Sequence, residues 1–129
     1  MNYLVILISL IITSTAFSST CKQGNLRWLT DAKLHQSVEN ICLTKSKKFI
    51  ISKKCGKNCQ NQIKKKVSKV KAIPHGTIGS PGFKLCRIIG GNGRLVQLNR
   101  NGWSNKSLCY FKDESFVEIS YLLKEQSRI

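Results

Sequence analysis

The stretch SPGFKLCRIIGG at residues 80–91 predicts how the second half of the chain begins. Ser80 is a typical helix N-cap, and Pro81 suits the first helical turn because its missing N–H would have no partner there. The pair Gly90-Gly91 ends the helix, since glycine is common just beyond a helix C-terminus. A short helix that carries Cys86 is therefore expected here.

A β-hairpin and a second helix follow this stretch. Residues 94–98 and 107–111 have strand character on either side of Asn101-Gly102, a strong signal for a tight hairpin. The sequence SFVE at residues 115–118 matches a capping box, and the apolar residues after it lie at helical spacing. The second half is therefore predicted as helix, hairpin and helix, in a small disulfide-rich α+β domain.

The first half is less clearly patterned. Leu34 and Val38 are four residues apart, which favours a helix within residues 26–39. Residues 41–43 and 49–51 are predicted to be short strands on either side of a polar turn. Short strands and one basic helix are therefore expected before the second half.

The basic helix is predicted to begin at Asn58, a suitable cap. Its apolar stripe has spacings of four, four and three residues and consists of Cys59, Ile63, Val67 and Val70. Insertion into a membrane would need a wider apolar face with larger side chains, so packing on a small core is favoured. Residues 19–73 thus form a lysine-rich, cysteine-containing half, and residues 74–80 link it to a module at residues 81–129.

The first 18 residues have the features of a secretory signal peptide. Their apolar run is too short to span a bilayer, and Ala16 and Ser18 are spaced as a cleavage site requires. A membrane anchor is the alternative, because no lysine or arginine precedes the apolar run. Export predicts a secreted or periplasmic protein, and the sequence does not distinguish between these two locations.

Six cysteines follow the predicted signal peptide, and an even number in an oxidising compartment predicts three disulfides. The predicted pairs are Cys86 with Cys109, Cys42 with Cys55 and, by elimination, Cys21 with Cys59. Three connectivities are open for the four cysteines of the first half. A zinc or redox site at Cys55 and Cys59 is the weaker alternative, because no second matching pair is present. We expect no metal and no other cofactor.

Charge is the strongest functional signal in the chain. It has 22 lysines and arginines against six aspartates and glutamates, which gives a formal net charge of +16. No carboxylate lies between Ile41 and Lys112, and eleven lysines lie between residues 44 and 71. Such a charge attracts an anionic polymer or an anionic membrane surface, although a solvated face that keeps the protein soluble is the alternative. The candidate anion-binding residues are Lys53, Lys54, Lys57, Lys64, Lys65, Lys66, Lys69 and Lys71.

Two blocks of residues in the second half match a known pattern. They are Pro81, Cys86, Gly90 and Gly91 in the first block, and Cys109, Phe111, Asp113, Ser115 and Glu118 in the second. Through these residues, about residues 80–124 resemble a hemolysin-like small bacterial domain of unknown function. The chain departs from the pattern at Ser80, Lys112, Glu114 and Val117, the last of which replaces a cysteine. The resemblance supplies no catalytic residue, and its lytic label alone is weak support for membrane lysis.

The residues support an enzymatic function less well than they support anion binding. A ribonuclease-like hydrolase would use His35 and His75 as base and acid, and a lysozyme-like enzyme would need Asp31 and Glu39 to flank a cleft. A protease inhibitor or toxin-like protein is a third class, for which no reactive loop is recognisable. The sequence favours a non-enzymatic exported protein that binds anions, with Trp103 exposed near the hairpin tip. Its oligomeric state stays open.

Overall fold

The computed structural model describes residues 21–44, 46, 48–73 and 80–128. Two predicted segments lie outside the described residues. They are the signal peptide and residues 74–79 of the linker, which include His75. The elements in chain order are β1 (Lys22–Thr30), β2 (Lys33–Leu43), β3 (Ile50–Ser52), α1 (Lys57–Ser68), α2 (Pro81–Ile88), β4 (Asn92–Asn99), β5 (Trp103–Tyr110), β6 (Phe116–Glu118) and α3 (Ile119–Ser127).

The six strands close into an antiparallel barrel in the order β1, β2, β3, β6, β5, β4. This barrel corrects the predicted α+β fold of helix, hairpin and helix. The predicted hairpin exists as β4 and β5, but both of its outer edges are paired. Leu26 of β1 lies opposite Leu98 of β4, and Cys109 of β5 lies opposite Val117 of β6. Both halves of the chain therefore contribute strands to one closed sheet, in which the paired edges are no longer exposed.

A β-hairpin replaces the helix that the sequence predicts within residues 26–39. β1 and β2 pair without a break over almost their full length. The spacing of Leu34 and Val38 is misleading because residues four apart return to the same face of a strand as well as of a helix. The turn consists of Asp31 and Ala32, which have φ angles of 51° and 62°. The prediction of a helix here is therefore wrong.

α2 and the hairpin of β4 and β5 form where the sequence predicts them. The Ser80 hydroxyl accepts a hydrogen bond of 3.4 Å from the backbone N–H of Phe83, and the helix ends before Gly90. A Cβ atom on Gly93 would overlap the ring of Phe83. Glycine at this position therefore lets α2 pack directly on β4.

The capping box predicted at residues 115–118 is wrong. The backbone N–H and the hydroxyl of Ser115 donate hydrogen bonds of 3.0 and 2.6 Å to the Asp113 carboxylate, and neither caps a helix. The next three residues form β6, with Phe116 fully buried in the barrel. α3 begins only at Ile119. The apolar residues assigned to one helical face are therefore divided between a strand and a helix.

The buried apolar side chains form two clusters, one inside the barrel and one outside it. The inner cluster consists of Leu26, Ile41, Ile50, Val96, Leu98, Leu108, Tyr110 and Phe116. The outer cluster lies between the barrel wall and the helices, and includes Val67 of α1, Leu85 of α2 and Leu122 of α3. It also includes Ile51 of β3 and Val117 of β6. The helices thus cover the side of β3 and β6, while the β1–β4 pair lies across the ring.

Three disulfides join Cys21 to Cys42, Cys55 to Cys59, and Cys86 to Cys109. The predicted pair of Cys86 and Cys109 is confirmed and ties α2 to β5. The other two predicted pairs are wrong, because the β1–β2 pairing brings Cys21 beside Cys42. The two remaining cysteines are four residues apart and join across the start of α1. The protein is therefore a small, disulfide-stabilised barrel.

Candidate functional site

The eight lysines predicted to bind anions are all exposed, and they lie on α1 and the segments beside it. We call them the lysine surface. Its members are Lys53 and Lys54 before α1, Lys57, Lys64, Lys65 and Lys66 within it, and Lys69 and Lys71 after it. α1 begins at Lys57 with Gly56 as its N-cap, and not after Asn58 as predicted. The structure thus brings the candidate residues together around one helix.

α1 is held firmly against the rest of the molecule. Ile63 and Val67 are buried on its inner face, as the predicted stripe requires. Cys59 ties the first turn to Cys55, which is itself 1% exposed. The lysines therefore extend from a helix of fixed position, and their charges stay on one side of the barrel.

Within the described residues, no salt bridge neutralises a member of the lysine surface. The ion pairs there join Lys106 to Glu118 at 3.2 Å and Arg128 to Glu125 at 3.3 Å. Both pairs lie outside α1 and its flanking segments. The lysine surface therefore presents a net positive charge to an external anion, although Lys54 also acts on the Asp113 carboxylate and helps to lower its pKa.

A basic pocket of about 230 Å³ lies between α1, α3 and residues that follow β2. Lys57 and Lys64 of the lysine surface line it from α1, and Lys124 and Arg128 line it from α3 and its end. Lys48 lies beside Lys124, and repulsion between the two ammonium groups is the main reason that the pKa of Lys124 is lowered. Like charges are therefore brought together at one place.

The basic pocket also presents neutral hydrogen-bonding groups. The Tyr121 hydroxyl is buried without a hydrogen-bond partner among the described residues, and burial raises the pKa of this tyrosine. Thr44 and Ser46 contribute hydroxyl oxygens that lie 3.0 Å apart. The acid in the lining, Glu125, is already paired with Arg128. This arrangement suits a phosphate or sulfate group, which accepts hydrogen bonds from cations and hydroxyls alike.

Only part of the basic pocket could be predicted from the sequence. Lys57 and Lys64 belong to the predicted set, whereas Lys124 and Arg128 do not. Lys124 and Arg128 are four residues apart, so they share one side of α3 and its end, and this spacing was a usable signal. Their approach to α1 depends on the packing of two distant helices, which no local pattern reveals.

The described residues considered for hydrolysis do not form a catalytic arrangement. His35 is exposed on β2 and its ring stacks on Trp28, with centroids 5.6 Å apart. His75 lies outside the described residues. Asp31 is in the first turn and Glu39 is eight residues farther along β2, a separation of roughly 26 Å along a strand. Glycosidase carboxylates are about 5 to 10 Å apart, so this pair does not fit that chemistry.

A second surface lies on the outer side of β1 and β4. The Arg27 guanidinium lies 3.8 Å from the centre of the Trp103 ring, and its Nε donates a hydrogen bond of 2.6 Å to Gln97 Oε1. Trp103 is 48% exposed, as predicted for a residue near a hairpin tip. A groove of about 760 Å³ lies beside this stack. We call the residues here the seam surface: Arg27, Trp28, Leu29, Leu34, Leu95 and Trp103.

Aromatic rings and one arginine close the barrel near the seam surface. The Arg94 guanidinium lies 4.6 Å from the Trp28 ring and 4.2 Å from the Tyr110 ring. Burial raises the pKa of Tyr110, and the neighbouring Arg94 charge opposes that shift. Trp28 is therefore held in place by both Arg94 and His35.

Comparisons with protein-family models, with curated proteins and with solved structures found no match. Among the helices of the described ranges, none is long and apolar enough to cross a lipid bilayer. The described residues also contain no group of three or more histidine, cysteine, aspartate or glutamate side chains placed to hold a metal ion. The lysine surface and the seam surface are the candidates for function.

Proposed function

We propose that this exported, disulfide-stabilised protein binds an anionic polymer through the lysine surface. The observation that carries the proposal is the basic pocket, where Lys57, Lys64 and Lys124 converge and the acid in the lining, Glu125, is already paired with Arg128. Two like charges repel unless an anion compensates them. The three disulfides support an oxidising location, either secreted or periplasmic.

A polymer suits the lysine surface better than a small anion does. α1 has 12 residues, which corresponds to about 18 Å of helix, and further lysines lie on both flanking segments. A ligand needs repeated anionic groups to contact all of this length at once. Lysine ammonium groups are point charges without the planar fork of arginine, so we expect recognition of charge density. Nucleic acids and acidic polysaccharides, with their phosphate or sulfate groups, meet this requirement.

The salt dependence of binding tests the proposal. The affinity of the exported chain for fluorescein-labelled heparin is measured by anisotropy at several salt concentrations. We expect affinity to fall steeply with salt, with a logarithmic slope of about 0.7 to 0.9 for each anionic group contacted. Loss of heparin binding below physiological salt would contradict the proposal. It would indicate that the lysines only keep the protein soluble.

Two matched double variants test where the polymer binds. Lys64→Ala with Lys124→Ala removes two cations from the basic pocket, and Lys22→Ala with Lys33→Ala removes the same charge from the first hairpin. The pocket variant should lower the slope by about 1.5, and the hairpin variant should leave it nearly unchanged. If the two double variants changed the slope equally, heparin binding would depend on net charge alone and not on a defined site.

A further inference from the structure

The seam surface exposes three leucines beside one groove. Leu29 is 73% exposed, Leu34 57% and Leu95 70%. All three line the groove of about 760 Å³, together with Trp28. Single exposed apolar residues are ordinary on protein surfaces, whereas a contiguous apolar cluster indicates an interaction site.

The strand register explains why these leucines meet. Leu29 and Leu34 are cross-strand partners next to the first turn. Neighbouring residues in a strand point to opposite faces, and Val96 belongs to the cluster inside the barrel while Trp28 packs against that cluster. Leu29 and Leu95 therefore point outward, across the ring from the helices. The end of the first hairpin is thus an apolar projection of the barrel.

The charges around this projection are mainly positive. Arg27 lines the groove, and Lys33 lies exposed beside the turn. Lys106 also lines the groove while it is paired with Glu118. Asp31 is the one acid of the turn itself, and it is exposed there. A partner of the seam surface should therefore combine an apolar interior with anionic groups at its edge.

We propose that the seam surface docks this protein on an anionic lipid bilayer. Leu29, Leu34 and Leu95 enter the boundary between headgroups and acyl chains, while Arg27 and Lys33 contact lipid phosphates. The exposed Trp103 lies at the level of the headgroups, where amphipathic aromatic rings are favoured. A second copy of the chain is a poor partner here, because two molecules that each carry a charge of +16 repel one another.

Bilayer docking and polymer binding use different sides of the barrel. The lysine surface belongs to the side that the helices cover, and the seam surface lies across the ring. An anionic bilayer also attracts the lysines, but that attraction leaves the three leucines and Trp103 in water. The chain has two tryptophans, and both belong to the seam surface. Tryptophan emission therefore distinguishes the two modes of binding.

Tryptophan fluorescence with lipid vesicles tests the proposal. The exported chain is mixed with vesicles of phosphatidylglycerol and phosphatidylcholine in equal parts, and with vesicles of phosphatidylcholine alone. We expect the emission to move to shorter wavelength only with the anionic vesicles, and lipids brominated on the upper acyl chain to quench it. Heparin should leave the emission unchanged. Residues 1–20 contain no tryptophan, so the emission reports only on the chain that follows the predicted signal peptide.

Leucine variants complete the test. Replacing Leu29, Leu34 and Leu95 with alanine should lower the vesicle partition coefficient at least about tenfold and abolish the shift. Ile88→Ala, at an exposed aliphatic residue of α2, should change neither. If urea unfolding shows that the triple variant is not folded, Leu29→Ala alone, at the most exposed of the three positions, gives the same comparison.

Three results would overturn bilayer docking. They are no emission shift at saturating anionic vesicles, a shift that survives in the folded leucine variant, and a leucine-dependent dimer in sedimentation experiments. None of them affects the polymer proposal, because heparin binding is measured on separate lysine variants.

Discussion

The buried Ser52 hydroxyl accepts a hydrogen bond of 2.9 Å from the backbone N–H of Phe116. This bond joins β3 of the first half to β6 of the second half, where Ile51 lies opposite Val117. Ser52 is 2% exposed and Phe116 is fully buried, so water has little access to either group. Closure of the barrel on this side therefore depends on a side chain as well as on backbone pairing.

Ser52→Ala should destabilise the protein by about 1 to 3 kcal/mol, because it leaves the Phe116 N–H buried without an acceptor. Urea unfolding with the disulfides intact measures the change in the free energy of unfolding. Ser120→Ala, at an exposed position of α3, is the control and should change it by less than about 0.5 kcal/mol. Equal stability of the two variants would show that the N–H finds another acceptor.

Contacts such as this one explain which parts of the fold could be predicted. The cap at Ser80, the Asn101-Gly102 turn and the apolar run of β3 act within a few residues, so the sequence alone reveals them. The bond between Ser52 and Phe116 joins residues 64 positions apart, and local patterns do not encode such a pairing. The same holds for the basic pocket, in which Lys124 meets α1 only after the helices have packed.

The two hairpins also differ in how visible their turns are in the sequence. Asn101 and Gly102 have φ angles of 78° and 118° and carry the residue types that such a turn favours. Asp31 and Ala32 have φ angles of 51° and 62° but include no glycine. The first hairpin therefore has no recognisable turn signal, and its sequence predicts a helix instead.

Ala32→Gly should stabilise the protein by about 0.5 to 1 kcal/mol. The left-handed conformation costs alanine about 1 to 2 kcal/mol, and the greater freedom of glycine in the unfolded chain offsets about 0.4 to 1 kcal/mol of the gain. Thermal unfolding measures the difference. Ala72→Gly, at an exposed position outside the helices and strands, is the control and should not stabilise the protein. Lower stability of Ala32→Gly would be inconsistent with a left-handed turn.

The disulfides should stabilise the protein according to the loops that they close. Cys86 and Cys109 are separated by 23 residues, and Cys55 and Cys59 by 4. In the chain-entropy description these separations correspond to about 3.4 and about 1.9 kcal/mol. Replacing both cysteines of the first pair with alanine should therefore lower the free energy of unfolding more than replacing the second pair does. Urea unfolding without reductant measures both, and the reverse order would argue against loop entropy as the cause.

Asp113 stabilises the turn before β6 in its ionised form. Its carboxylate accepts both hydrogen bonds from Ser115, and these bonds are the main reason that the pKa of Asp113 lies below its ordinary value, with a smaller effect from Lys54. The unfolded chain lacks these bonds, so its Asp113 binds a proton at higher pH than the folded protein does. The stabilisation is therefore complete above the ordinary pKa of about 3.9 and is lost as the pH falls through the folded pKa.

Asp113→Asn should remove this pH dependence. The asparagine oxygen still accepts hydrogen bonds from Ser115, but without the charge that strengthens them. The variant should be less stable than the natural protein near neutral pH, and the difference should shrink as the pH falls below the ordinary pKa of about 3.9 and through the lower folded pKa. Thermal unfolding between about pH 2 and pH 7 measures it, and Glu114→Gln, at an exposed neighbouring carboxylate that accepts neither bond, should retain the natural pH dependence. A difference that stays constant over this range would show that hydrogen-bond geometry, and not the charge of Asp113, stabilises the turn.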